Sequence, residues 1–186
     1  MLKISSCFPS SLDYKAWVQI MKKTKERNWV QKTLLKFTSS KMGARIASRI
    51  LHLLDKTILR LTKNRSSLTS ILSGIPVIVL TTTGAKSGVP RTVPLLGLVK
   101  GDDVFLIASN WGQAHHPSWY YNLKANPEAQ LSIGKETGQY IARDATDPER
   151  EEYWVEAVNM YAGYAEYKKR ISTRKIPMFI LSPIKE

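Results

Sequence analysis

Cysteine and histidine are nearly missing from this chain. Among 186 residues there is one cysteine, Cys7, and there are three histidines. A single thiol excludes an internal disulfide framework and suits a reducing compartment. The adjacent pair His115-His116 has no neighbouring Cys, Asp or Glu to complete a ligand set, and adjacent residues point to different sides of a chain, so no metal site is read there. No uninterrupted apolar run reaches the length of a bilayer span. The amino-terminal residues lack the continuous apolar core of a signal peptide. These absences point to a cytoplasmic protein. The last shortage is local: residues 1–75 contain 15 Lys and Arg but only Asp13, Glu26 and Asp55, a balance of +12 out of the whole chain's +13. Residues 76–186 are therefore almost neutral, and the basic character belongs to a separate amino-terminal segment with its own partner.

The most informative stretch runs from Val77 to Leu96. Val77-Ile78-Val79-Leu80 followed by three threonines reads as a buried strand. It ends in Gly84-Ala85-Lys86-Ser87-Gly88, after which the chain resumes as one extended run from Thr92 to Val99 with Pro94 inside it. Such a turn is expected to offer free backbone N–H groups, the Lys86 ammonium, the Ser87 hydroxyl and, just past the bend, the Arg91 guanidinium. These are groups that hold phosphate or carboxylates. It is not a P-loop: Ala85 precedes Lys86, and Pro90 and Pro94 disfavour the helix that a P-loop opens.

The remaining elements read as hairpins and helices. Leu12 to Phe37 is helical with a phase shift near Asn28. Gly43 separates it from a helix over about Ala44 to Lys63, with Ala47, Ile50, Leu51, Leu54, Ile58 and Leu61 on one face and Arg45, Arg49, Lys56, Arg60 and Lys63 opposite. Lys100-Gly101-Asp102-Asp103 is a turn between antiparallel strands. Pro117 starts a helix that carries Trp119, Tyr120 and Leu123 and stops at Asn126-Pro127. Residues 129–133 and 137–143 form a hairpin. Asp147 caps a helix with Pro148 at its first position. Residues 176–181 supply a last strand, with Pro177 indicating an edge. About six mostly antiparallel strands with helices outside them make an α+β fold.

Several motifs in order carry a resemblance. G-x-P-V at Gly74 to Val77 is followed by L-T-T-T-G-x-K-S-G-x-P-R-x-x-P-L at Leu80 to Leu95. Then come Ala108-Ser109-Asn110-Trp111-Gly112, the run from Pro117 to Pro127, Ala142-Arg143 with Glu149-Arg150, the spaced Tyr161, Tyr164 and Tyr167, and Ile176-Pro177. This pattern, over roughly residues 74–183, resembles the deazaflavin-dependent nitroreductases and F420H2-dependent quinone reductases. The resemblance implies a split β-barrel of the FMN-binding type over residues 74–186, preceded by a basic helical segment over 1–73. It implies coenzyme F420 as the hydride source and a quinone or nitroaromatic acceptor, with FMN on the same barrel as the alternative. It places Lys86, Ser87 and Arg91 on the coenzyme's anionic arm. Around the coenzyme it also places Ala85, Thr92, Val93, Pro94, Leu95, Leu96, Ile107, Ala108, Ser109, Asn110, Ser118, Trp119, Tyr120, Tyr121, Asn122 and Tyr164. Tyr161, Tyr164 and Tyr167 are its candidate catalytic residues, walling the acceptor and donating a hydrogen bond to it.

Two readings stand for the basic segment. Its helix packs its apolar face on the barrel, or residues 1–75 attach the enzyme peripherally to anionic lipid on the inner face of the cell membrane. Basic residues backed by aliphatics, rather than interleaved with aromatics in a groove, favour lipid over nucleic acid. A non-enzymatic lipid-binding module is the reading from another class.

Overall fold

The computed structural model describes residues 28–48, 50, 75, 77–134 and 136–184. Helix α1 (Trp29–Ser39) is followed by β1 (Ile78–Thr83), β2 (Pro90–Leu95), β3 (Gly97–Lys100), β4 (Asp103–Ile107), a 3₁₀ turn (Asn110–Gly112), α2 (Ser118–Ala125), β5 (Glu128–Ile133), β6 (Glu136–Asp144), α3 (Asp147–Met160), α4 (Gly163–Arg170) and β7 (Met178–Pro183). All seven strands form one antiparallel sheet in the order β2-β1-β5-β6-β7-β4-β3.

That order forces the sheet to curl. Leu95 pairs with Ile78 at one edge and Gly97 with Leu106 at the other, yet only Leu96 separates them. Seven flat strands would hold their edges about 29 Å apart, whereas two residues span about 7 Å at most. The sheet therefore rolls into a split barrel. A Cβ on Gly97 would lie 2.4 Å from Ile78 Cδ1 and 3.1 Å from Leu106 Cδ2, so the joint between the two edges has no room for a side chain. The extended run expected from Thr92 to Val99 is thus two strands that belong to opposite edges, and the sheet has seven strands rather than six.

Alternation sorts side chains into two cores. Ile78, Leu80, Val104, Leu106, Leu131, Tyr140, Phe179 and Leu181 point inward with Trp119 and Leu123 of α2. Leu98, Phe105, Ile107, Met178 and Ile180 point outward and are covered by Tyr153, Ala157 and Met160 of α3, by Tyr164 and Tyr167 of α4, and by Ala44.

Several boundaries differ from the sequence reading. Strand β7 is central, between β6 and β4. Pro177 precedes it, needing no N–H there, while its carbonyl accepts from Ala108 N. Thr146, not Asp147, is the N-cap of α3, and the Glu149 carboxylate reaches back to its N–H and hydroxyl at 2.8 Å. Gly43 lies within a helical stretch, 41–48, rather than before it. The break is at Ser40, whose Oγ accepts from Gly43 N. A Cβ on Gly43 would sit 2.0 Å from the Phe37 carbonyl oxygen. Ala47 is buried, but Ile50, read as part of the same apolar face, is exposed. Leu51, Leu54, Ile58, Leu61, Lys56, Arg60 and Lys63 lie outside the described residues.

Candidate functional site

The turn between β1 and β2 consumes nearly all its own N–H groups. Gly84 N donates to Val89 O, Ser87 N and Gly88 N to Gly84 O, and Val89 N to Ser87 Oγ. Ala85 N donates to Asn122 Oδ1 at 3.0 Å, and Asn122 Nδ2 donates to Thr82 Oγ1 at 2.9 Å. The expectation of free backbone donors is therefore corrected: the turn's own acceptors and Asn122 of α2 take up most of them. Gly88, at φ 64°, supplies the left-handed residue that allows this. What the turn presents are side chains. Lys86, Ser87 and Arg91 are exposed, and neither cation is in an ion pair among the described residues.

Asn122 is buried on α2, with its amide spent on the turn and on Thr82. It braces the bend from behind instead of facing solvent. Trp119 is also buried, tilted against Phe179 in the inner core. Tyr120 is half-buried beside Phe179 and stacks on His116 at 4.3 Å; Ser118 and Tyr121 are exposed. Val93 and Leu95 pack on the inner core from β2, and Leu96 on the outer one. Thr92 bonds Thr81 across the strands at 2.9 Å. Pro94 sits on the edge strand, where its missing N–H breaks no ladder. Ile107, Ala108 and Ser109 are buried at the end of β4, and Asn110 begins the 3₁₀ turn.

The three tyrosines form a cluster on the outer side of the sheet. Their ring centroids are 5.5–6.2 Å apart, all edge-on. Tyr161 caps α3, and its ring leaves room only for hydrogen at Gly163. The Tyr161 and Tyr167 hydroxyls bond each other at 2.9 Å; Tyr167 donates to Thr38 O, and Tyr161 shares a bond with Thr38 Oγ1. Burial holds the Tyr164 and Tyr167 phenols well above their ordinary pKa, so both stay protonated. The cluster meets the rest of the site through Gly112, whose Cβ position is 3.1 Å from the Tyr167 ring.

One residue outside the sequence-derived set stands out. Arg174 donates to the carbonyls of Ala108, Ser109, Gln113 and Lys175. A lone arginine in a loop gives no periodic signal, and only the fold shows which carbonyls surround it.

Residues 55–183 match the family model of the F420H(2)-dependent quinone reductases. The chain belongs to that family. An F420H(2)-dependent quinone reductase of Mycobacterium tuberculosis is 36% identical over 110 residues, covering 58% of this chain and 73% of that protein. The solved structure of an F420-H2 dependent reductase superposes with a TM-score of 0.54 at 42% identity, over 57% of this chain and 94% of that one. Another, described as a domain-swapped dimer, superposes with a TM-score of 0.55 at 35% identity, over 68% and 95%. The turn is a candidate for the anionic arm of the family's coenzyme. That arm carries a phosphate and glutamates, and two cations uncommitted among the described residues flank a rigid bend that has few backbone donors to spare.

Proposed function

We propose that this protein is an oxidoreductase that passes a hydride from reduced coenzyme F420 to a quinone or nitroaromatic acceptor. The observation that carries it is the braced turn with Lys86 and Arg91 unpaired among the described residues, in a chain of this family. When bound, the coenzyme supplies the hydride; the chain supplies binding, orientation and exclusion of water. Lys86, Ser87 and Arg91 bind the anionic arm. Asn122 keeps the bend rigid. Val93 and Leu95, two apart on one face of β2, give an apolar wall, and Ser109 and Asn110 close the far side. Tyr164 is the phenol aimed at the acceptor; Tyr161 and Tyr167, whose hydroxyls are engaged with Thr38, hold it in place. Fluorescence titration decides the coenzyme. Saturable binding of F420 with little or none of FMN is expected. The reverse result assigns the barrel to FMN, and binding of neither removes the enzyme reading.

The proposal includes peripheral contact with anionic lipid at the inner face of the cell membrane, within a division into a basic segment over 1–73 and a barrel over 74–186. Trp29, Val30, Phe37, Met42, Ile46 and Ile50 are exposed. Met42, Ile46 and Ile50 are spaced by four, so they share a face. Lys32, Lys36, Lys41 and Arg45 are exposed among them, and residues 28–48 contain no Asp or Glu. No helix among the described residues is long and apolar enough to cross a membrane.

A further inference from the structure

Asn110 and Trp111 stand at φ 48° and 58°, and Gly112 follows at 75°. Two successive non-glycine residues in the left-handed region, one of them a tryptophan, persist only where their surroundings hold them. Arg174 holds them, together with the Asn110 side chain, whose Nδ2 donates to His115 O at 3.0 Å. The Arg174 Nη1 donates to Ala108 O at 3.2 Å and its Nη2 to Ser109 O and Gln113 O at 3.0 Å, so one guanidinium grips the carbonyls before and after the strained residues. Its Nε adds a second bond to Gln113 O. Nη1 also lies 3.1 Å from His116 Nδ1. A guanidinium only donates, so Nδ1 accepts and the imidazole is neutral. The His116 ring in turn stacks on Tyr120 of α2, the helix whose Asn122 clamps the coenzyme turn.

We propose that Arg174, through His116, is a positioning residue that fixes the Ala108–Gln113 loop against α2 and thereby sets where the acceptor sits over the coenzyme. This rests on the reading of the protein as an F420-dependent quinone reductase. Ser109 and Asn110 are already assigned to the coenzyme; the Trp111–Gly112 end of the loop serves the acceptor side for two reasons. The anionic arm has its own anchors, Lys86 and Arg91, braced by Asn122 without Arg174. The loop's other face meets the tyrosine cluster, with Gly112 against Tyr167 and Trp111 against the outer core. Lysine cannot replace the arginine, because an ammonium lacks the planar fork that reaches several carbonyls at once. The clip also carries a pH dependence. The groups facing His116 are Arg174, His115, Tyr120 and Tyr121. Burial first, then the Arg174 charge, keeps the His116 pKa below its ordinary 6.5. Protonation at lower pH would set two cations against each other and open the clip.

Hydrogen exchange on the coenzyme-free protein is the direct test, read at the amides of Gly112 and Gln113, which bond Ser109 O and Asn110 O. Arg174→Lys should exchange about tenfold faster there. The same variant should raise KM for a soluble quinone about fivefold or more, with the F420 dissociation constant within about threefold of wild type. His116→Phe, which keeps a stacking ring but no acceptor, should behave like Arg174→Lys. His116→Asn restores an acceptor that does not titrate, so it should match wild type at neutral pH and lose the decline of activity below it. Unchanged exchange and KM in Arg174→Lys overturn the proposal. So does a loss of F420 affinity in step with turnover, which would give the loop to the coenzyme. If His116→Asn resembles His116→Phe, the accepting nitrogen has no role and the clip is wrong. Failure of the functional reading looks different: wild type would then bind no F420, whatever the exchange rates.

Discussion

Lys86 and Arg91, the proposed anchors of the anionic arm, differ in chemistry. The ammonium is a compact charge on a flexible stem, while the guanidinium offers a fixed fork to two oxygens. Each makes charge-assisted bonds, so Lys86→Ala and Arg91→Ala should each weaken F420 binding by about 1.5–3 kcal/mol, measured by fluorescence titration. Arg91→Lys should recover only part of the loss. If the double variant binds F420 as wild type does, the arm lies elsewhere. Asn122 acts at one remove. Asn122→Ala would remove the acceptor of the Ala85 N–H and the amide that donates to the Thr82 hydroxyl, which is 2% exposed and would keep only its long 3.5 Å bond to Arg91 O. A loss of about 1–3 kcal/mol of stability is expected in a urea titration, the usual cost of orphaned buried groups. Tyr164 is the residue proposed for the chemical step, although it is buried in the outer core. Its phenol is kept protonated by burial, so Tyr164→Phe should lower kcat with F420 affinity within a few-fold. A normal kcat in Tyr164→Phe would leave all three rings as packing around Thr38.

At the level of elements, α3 has the most legible start and the clearest pH response. Glu149 receives two bonds from Arg143, at 2.9 and 2.7 Å, and one from the Thr146 N–H. The guanidinium first, then that N–H, pull its carboxyl down from 4.5 to about 2. A depressed carboxyl stabilises the fold fully above its unfolded value and loses that contribution as pH falls through the folded one. The gap in urea midpoint between wild type and Glu149→Gln should therefore be constant above pH 4.5 and close between 4.5 and about 2. A gap that persists at pH 2 would show that the ion pair does not set it. Prolines tell how far such elements can be read beforehand. Asp147-Pro148 marked the helix start to within one residue, because capping is local. Pro94 was visible inside an extended run and does lie on an edge strand. Pro177 gave the wrong inference, since a proline just before a strand looks like one within an edge strand. The split at Leu96 left no local mark at all: it exists because the sheet closes, and closure is a property of seven strands together. The coenzyme turn was legible as residues, but not as a turn whose donors Asn122 and its own carbonyls take up. Arg174 was visible as the first residue of an R-x-I-P match ending at Ile176-Pro177, but its role was not, because its carbonyl partners are brought to it only by the fold.

Taken as a whole molecule, the charge is divided as +12 over residues 1–75 and +1 over the rest. Packing alone does not account for the described part of that segment. Thr38 and Ser39 bond Tyr161, Tyr167 and Arg170, so one side of α1 is docked on α4. The other side keeps Trp29 at 77% and, in the next helical stretch, Met42 at 69% exposure. Large apolar side chains left in water among lysines are the mark of a helix that lies in a lipid interface. Each basic residue near an anionic surface contributes about 1 kcal/mol, decaying over about 8–10 Å at ordinary salt. On the proposed lipid contact, Lys32, Lys36, Lys41 and Arg45 together would be enough for reversible attachment, and a lipid-dissolved quinone would be concentrated where the enzyme sits. The full-length protein should sediment with vesicles containing anionic lipid and be released as salt rises. Neutralising those four residues should abolish sedimentation, and Met42→Ser with Ile46→Ser should weaken it at constant charge. Activity on a soluble quinone should survive all these changes, because none of the altered side chains lies at the turn or in the Arg174 loop. Equal binding to neutral and anionic vesicles would end the electrostatic part, and no binding to either would leave the exposed stripe to another surface.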